Sequence, residues 1–258
     1  NNDYDGVNYG PNDLLDQRNV ILDDLSRYGD VQVTDLEDGK IQVKINGKVV
    51  VDASGASYTN DKLNIGSDGV TLTWNSNNQN ANLGAGAIRG FTDMLTGADP
   101  INAGIPYYQN KMDNFAQTLA DVFNNKIHAD DPDFPDKYKF LLQGGVDGKV
   151  TAGNISISDQ WADDVSYIIR KQNPDGELDN QDILDMKAAF EQDFNFGGEY
   201  TGTFSEFITS VTNTLGSGIK TNSARMSASL AIAESADSER MGVSGVSLNE
   251  EGISMMTY

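Results

Sequence analysis

Val31-Gln-Val33-Thr-Asp-Leu-Glu-Asp38-Gly39-Lys-Ile41-Gln-Val43-Lys-Ile45-Asn46-Gly47-Lys-Val49-Val-Val51 is the stretch that decides the fold class. Its apolar residues alternate with a period of two: Val31 and Val33, then Ile41, Val43 and Ile45, then Val49 and Val51. Alternation of that kind sorts side chains onto the two faces of a strand. Asp38-Gly39 and Asn46-Gly47 are two-residue hairpin signals, because the tight turns between paired strands need residues that tolerate positive φ. The stretch predicts a meander of at least three antiparallel strands. Leu63-Asn-Ile65 and Val70-Thr-Leu-Thr-Trp74, with Asp68-Gly69 between, predict another hairpin that extends it.

Outward from this lobe the period becomes helical. Before it, Pro11-Asn12-Asp13 offers a helix start, and Leu14, Arg18, Ile21, Leu25 and Tyr28 follow at helical spacing up to Gly29. Residues 1–10 are polar and turn-rich, a lead-in. After the lobe, residues 75–83 read as a polar loop and Ala87 to Leu95 as a short helix. Tyr108, Met112, Phe115, Leu119, Val122 and Lys126/Ile127 then repeat at three and four, a narrow seam of the kind that packs on other helices. Asp130-Asp-Pro-Asp-Phe-Pro-Asp136 is a proline-broken acidic loop. Tyr138–Leu142 and Ile155–Ile157 are strand-like around a Gly144-Gly145 turn, and Trp161 to Ile169 reads equally as helix or as extended chain. A helix is expected from about Asn180 to Phe194, broken by Gly197-Gly198. Another starts at Phe204, Phe207/Ile208, Val211, Leu215 and Ile219 and continues through Met226, Leu230 and Ala233 to about Arg240. This last helix is weakly apolar and rich in Ser and Ala, so it needs neighbours to hold it, the expectation being the missing termini or adjacent subunits.

The expected architecture is α+β: an elongated bundle of long helices from both ends of the chain, with a small antiparallel β lobe inserted. Residues 1–29, 85–130 and 158–258 would form a discontinuous helical rod domain, residues 30–84 the β-rich insertion, and residues 131–157 a loop and hairpin connection.

Composition narrows the functional classes. The chain of 258 residues carries 39 acidic against 18 basic side chains, a formal charge of −21. Such a surface repels phosphate backbones and anionic lipid, which argues against nucleic acid and membrane as partners. No apolar run approaches a membrane span and no signal peptide opens the sequence. There are no cysteines, hence no disulfide, thiolate metal site or cysteine nucleophile, and His128 is the one histidine on which a serine–histidine triad or a histidine–metal site would have to be built. Carboxylate pairs for acid–base work can be drawn from many positions, but no spacing singles one out. No cofactor is implied and the enzyme reading has no anchor.

The strongest ligand signal is Asn173-Pro-Asp175-Gly176-Glu-Leu-Asp179-Asn-Gln-Asp182, which resembles the calcium loop of dockerin modules: oxygen ligands at alternate positions, a turn glycine, an acidic residue opening a helix. Lys171 occupies the first ligand position, where a cation repels calcium, and no partner loop exists. The plain reading is a Pro-Asp-Gly turn followed by an acidic helix start. The alternative to a structural protein is therefore an extracellular calcium-dependent binding module. Asp130, Asp131, Asp133 and Asp136 read as a solvated loop.

The end of the chain, Ser244-Gly-Val-Ser-Leu-Asn-Glu-Glu-Gly-Ile-Ser-Met-Met-Thr-Tyr258, opens another helix. Ser247 or Asn249 is a cap, Glu250 and Glu251 suit the first turn, and Leu248, Ile253, Met255 and Met256 begin a stripe that is cut within two turns. The expectation is a longer natural chain. Ser244, Gly245, Val246, Leu248, Glu250 and Glu251 are the candidate assembly motif. This run resembles the C-terminal pattern of bacterial flagellar axial proteins, most closely the hook-associated protein 1 family. Pro11-Asn-Asp-Leu-Leu-Asp-Gln-Arg18 with Asp23-Asp24-Leu25-Ser26 is similar to that family's distinctive internal helix. Gly86–Leu95 with Tyr108 and Leu119–Asn124, then Ile155–Asp159 and Thr203–Phe207, match later landmarks in order.

The resemblance implies a non-catalytic structural subunit of the flagellum, secreted through the flagellar export apparatus and stacked helically between hook and filament. Its implied partners are other copies of itself, the hook protein, a second hook-associated protein and an export chaperone. Relative to larger members, the region 130–160 is short, as if an outer domain were reduced, and Gly252 stands where a better helix former is expected. The N-terminal helix that pairs with the C-terminal one in the assembled tube is missing from this sequence.

Overall fold

The computed structural model describes residues 3–4, 7–8, 12–55, 59–127, 140–145, 148–164 and 179–244. The chain divides into two compact units, Asn1–Asp113 and Asn114–Tyr258. The fold is α+β with a small antiparallel β lobe.

In the first unit, β1 (Asp3–Tyr4) pairs with β2 (Val7–Asn8), and α1 follows over Asn12–Ser26. The meander is β3 (Val31–Asp35), β4 (Ile41–Ile45), β5 (Lys48–Asp52) and a short fourth strand, β6 (Thr59–Asn60), in sequential antiparallel order. Asn46 and Gly47 have φ of 49° and 78°, the two consecutive left-handed residues that a tight hairpin with native twist requires. Register slips between Val43 and Lys44, where Val50 is passed over, and both Val43 and Val50 are buried. The Asp38-Gly39 connection differs from expectation. It is a longer loop with a single 3₁₀ turn at Glu37–Gly39, closed by the Leu36 amide donating to the Lys40 carbonyl at 2.8 Å. Arg18 Nη1 donates to the Gly39 carbonyl at 2.9 Å and ties this loop to α1.

The second expected hairpin, β7 (Leu63–Ile65) with β8 (Leu72–Trp74), forms but does not extend the meander; it is a separate two-stranded sheet. The two sheets share a core of Val43, Val50, Trp74, Ala81 and Leu83, onto which Leu22 and Leu25 of α1 pack. Helices α2 (Gly86–Thr96) and α3 (Ile105–Lys126) complete the series, with the division between the units falling inside α3. Gly86 has φ 87°, and a Cβ there would drive into the Tyr28 carbonyl and the Gly29 nitrogen. That close approach lets the Ala87 amide donate to the Arg27 carbonyl at 2.9 Å, joining the end of α1 to the start of α2.

In the second unit β9 (Leu142–Gln143) pairs with β10 (Ser156–Ile157), and α4 (Asp159–Asp163) and α5 (Gln181–Ala189) follow. Asn124 of α3 acts as a strand partner: its side-chain amide both donates to the Leu142 carbonyl and accepts from the Leu142 amide, each at 2.9 Å. The helix expected to reach Phe194 stops at Ala189. Phe194 instead opens a hairpin, β11 (Phe194–Phe196) with β12 (Tyr200–Gly202), turned by Gly197 and Gly198 at φ 67° and 80°. The competing force is aromatic burial. Phe196 and Phe207 are fully buried with ring centroids 4.3 Å apart, and Phe204 meets Phe196 at 5.4 Å and Phe115 at 5.3 Å. An alternating Phe-Asn-Phe delivers two rings to one side of a hairpin, which a helix would splay apart. Helix α6 then runs for 41 residues, Phe204–Ser244.

Candidate assembly surface

Helix α6 begins on a reciprocal cap. The Thr203 hydroxyl accepts from the Glu206 amide at 3.2 Å, and the Glu206 carboxylate accepts from the Thr203 amide at 2.9 Å. This Thr-x-x-Glu pairing satisfies two otherwise orphaned amides and fixes where the helix starts. The first turn buries Phe204 and Phe207 in the aromatic cluster. From residue 212 to residue 242 nothing among the described residues covers the helix, and these positions are exposed throughout, about 45 Å of bare helix at an α-helical rise of 1.5 Å per residue.

The bare part carries a pattern. Ile208, Val211, Leu215, Ile219, Asn222, Met226, Leu230 and Ala233 follow one another at three and four, the spacing of a seam that packs against a facing helix. Leu215 is 43% exposed, Ile219 61%, Met226 73% and Leu230 55%. Gly216, Gly218 and a high Ser/Thr content weaken the helix on its own, and hydroxyls bond back to it: Thr212 to the Ile208 carbonyl at 2.8 Å, Thr214 to the Ser210 carbonyl at 2.9 Å. Between Phe207 and Ala233 the charged residues are Lys220 and Arg225, both basic in a strongly acidic chain.

Of the candidate motif, Ser244 is the last residue of α6; Gly245, Val246, Leu248, Glu250 and Glu251 lie outside the described residues. His128, the Asp130–Asp136 loop, Lys171 and residues 173–178 also lie outside them. The described end of the calcium-like loop is committed to its helix. Asp179 accepts from the Gln181 amide at 2.8 Å, an Asx-type start, while Asp182 is buried in the first turn of α5. Among the described residues no group of three or more His, Asp or Glu is placed to hold a metal. Nothing described supports the calcium-module alternative.

A cleft of about 180 Å³ in the first unit lies among Leu72, Leu83, Arg89 and Thr92. Arg89 is the one ionisable group in its lining, and it is held by Asp93 at 2.7 Å. It offers no acid–base pair and no nucleophile with a base. No described helix is long and apolar enough to cross a membrane.

Sequence reasoning missed two surfaces. On α1, which ends at Ser26 and does not run to Gly29, the expected single stripe splits: Leu25, together with Leu22, faces the β core and Arg18 reaches Gly39, whereas Leu14 and Ile21, and Tyr28 in the turn beyond the helix, are more than half exposed. On α2, Phe91, Met94 and Leu95 are exposed as a cluster. In both, the apolar period was visible, but periodicity alone does not say which stripe the domain itself buries.

The family described as the flagellar hook-associated protein FlgK helical domain matches residues 4–136. No curated protein and no solved structure matches the chain. The matched residues hold α1, the β lobe, α2 and α3, so they include the internal helix and the Gly86–Leu95, Tyr108 and Leu119–Asn124 landmarks of the resemblance; α6 lies beyond them. With half of its length matched, the chain belongs to the FlgK hook-associated protein family, whose role in the flagellum is structural.

Proposed function

We propose that this protein joins hook to filament by helical self-assembly, turns over no substrate, and meets its neighbours through the apolar seam of α6. The observation that carries this reading is the bare length of α6. A Ser- and Gly-rich helix gains too little from its own hydrogen bonds to stay formed over residues 212–242, so it needs a surface that its own unit does not supply. In the assembly, residues 1–29, 85–130 and 158–258 would make up the helical rod and residues 30–84 the inserted lobe. The partners are other copies of the chain, the hook protein and the second hook-associated protein, reached after secretion through the flagellar export apparatus with an export chaperone. Subunits that meet through two different patches form open helical arrays, the geometry such a junction needs.

Replacing Leu215 and Met226 together by Asp in the full-length gene tests this. The expected result is normal secretion with loss of filament attachment and of swimming, since each substitution puts a charge into the seam. Wild-type attachment by the double variant would overturn the reading.

A further inference from the structure

We infer that the outer edge of β3 is a docking edge for an extended segment of a partner protein, apolar at alternate positions and basic between them. The inference is independent of α6. The meander runs in the order β3, β4, β5, β6, so β3 has a strand neighbour on one side only. The Asn46 amide donates to the Asp30 carbonyl and the Leu36 amide to the Lys40 carbonyl, each at 2.8 Å, at the two ends of the β3–β4 ladder. Those bonds fix its phase. Asp30, Gln32, Thr34 and Leu36 turn their backbone groups to β4, and Val31, Val33 and Asp35 turn theirs outward. No described residue bonds to that outward row.

Other strand edges in this unit are closed or short. The outer side of β8 is bonded to the chain that follows it, the Trp74 amide donating to the Gln79 carbonyl at 2.9 Å and the Ala81 amide to the Leu72 carbonyl at 2.7 Å. At the far edge of the meander β6 is two residues long. β3 has five residues, and it lacks the lysine, proline or bulge with which natural edges are blunted.

The side chains of this edge describe what pairs with it. Val31, Val33 and Asp35 share one face. Val31 packs against the β core, and Val33 lies opposite the buried Val43 yet is 44% exposed. A strand added beside β3 continues the core face over Val33 when its own residues on that side are apolar. Charge sets the rest. Between Arg27 and Lys40 the acids are Asp30, Asp35, Glu37 and Asp38, with no base among them. Pairing β3 with the β3 of a second copy would double these carboxylates along one edge, which cross-strand pairing penalises. A basic strand neutralises them, and main-chain hydrogen bonds supply the affinity.

A short peptide of alternating lysine and valine is the probe, titrated into the full-length protein while NMR follows amide exchange with deuterium. At saturation the Val31, Val33 and Asp35 amides are expected to slow by about tenfold or more, while those of Gln32 and Thr34, already bonded to β4, change little. Replacing lysine by glutamate in the peptide should weaken binding by about tenfold at low salt, a difference that added salt narrows. Val33→Pro removes one outward donor and no ladder bond, so it should weaken binding by up to about tenfold with circular dichroism intact. Should that variant lose its native spectrum, the peptide N-methylated at every residue gives the same loss against the unaltered protein. Equal binding by the glutamate peptide or by the N-methylated one would overturn the inference. So would outward amides already protected before peptide is added. Protection at high dilution would mean that the chain covers its own edge, and protection rising with protein concentration would put a second copy there.

Discussion

Two aspartates hold the small sheets of the first unit together, and both are tuned to stay ionised. The Asp68 carboxylate accepts from the Thr71 hydroxyl, then from the Val70 amide at 3.0 Å and the Thr71 amide at 2.9 Å, which together bring its pKa from 3.8 to about 2. Asp61 is lowered first by the Ser76 hydroxyl at 2.5 Å; burial opposes this, and the Lys62 and Ser76 amides and Lys48 add to it. A carboxyl whose folded pKa lies below its unfolded one stabilises fully above the unfolded value and loses that contribution as pH falls through the folded value. The melting temperature is therefore expected to fall as pH drops from about 4 to about 2, with a shallower fall for Asp68→Asn; a flat profile over that window would contradict the assignment. Glycines separate backbone conformation from space. Gly47 has φ 78° with open space around it, so Gly47→Ala is expected to cost about 1–2 kcal/mol from the left-handed conformation alone. Gly86 has φ 87° and its Cβ would strike backbone, so Gly86→Ala is expected to cost roughly 3–4 kcal/mol in denaturant unfolding. Reversal of that order would refute the close α1–α2 approach.

Among the elements, those whose signals are local were legible. The three-four seam of Tyr108 to Ile127 became α3, Asn46-Gly47 became the tight turn, and the run from Phe204 became α6. The hairpin β11–β12 was not legible, because Phe194 extends the preceding helical pattern while Phe196, Phe204 and Phe207 decide the matter through contacts that no short window contains. The reciprocal Thr203–Glu206 cap was a readable signal for the start of α6, since a Thr three residues before a Glu opens a helix. The α6 seam itself was visible as a stripe, but its emptiness was not, since a sequence shows that a face wants a partner without showing whether the domain provides one. The hairpin makes a quantitative claim. Phe196 is fully buried among Phe115, Phe204, Phe207 and Tyr200, so Phe196→Ala is expected to destabilise by about 3–5 kcal/mol through lost contact and the cavity left behind. Asn195→Ala removes the side-chain acceptor of the Gly198 amide at 2.5 Å on the same turn and is expected to cost about 1 kcal/mol by the same unfolding measurement. Equal effects would mean the turn, and not the rings, sets the hairpin.

At the scale of the whole molecule, the assembly reading makes a demand on the free chain that differs from its demand on the polymer. A helix is held by packing more than by propensity, and α6 from residue 212 to residue 242 is exposed, with no cover among the described residues. Gly216 and Gly218 each weaken a helix interior by about 1 kcal/mol relative to alanine, and Ser and Thr hydroxyls compete for its carbonyls. In dilute solution its amides should therefore exchange with deuterium within a few tenfold of unstructured rates, while those of α3, which buries Ala116 and Ala120, exchange far more slowly. On assembly the seam is covered and the same amides should slow by orders of magnitude, as mass action adds the contact energy to the opening free energy. The chain carries a charge of −21, so copies repel until salt screens them, and protection of residues 212–242 should rise with both protein and salt concentration. Strong protection of this segment at high dilution would mean that it is already covered within one chain. In that event a neighbouring copy would have no seam left to receive.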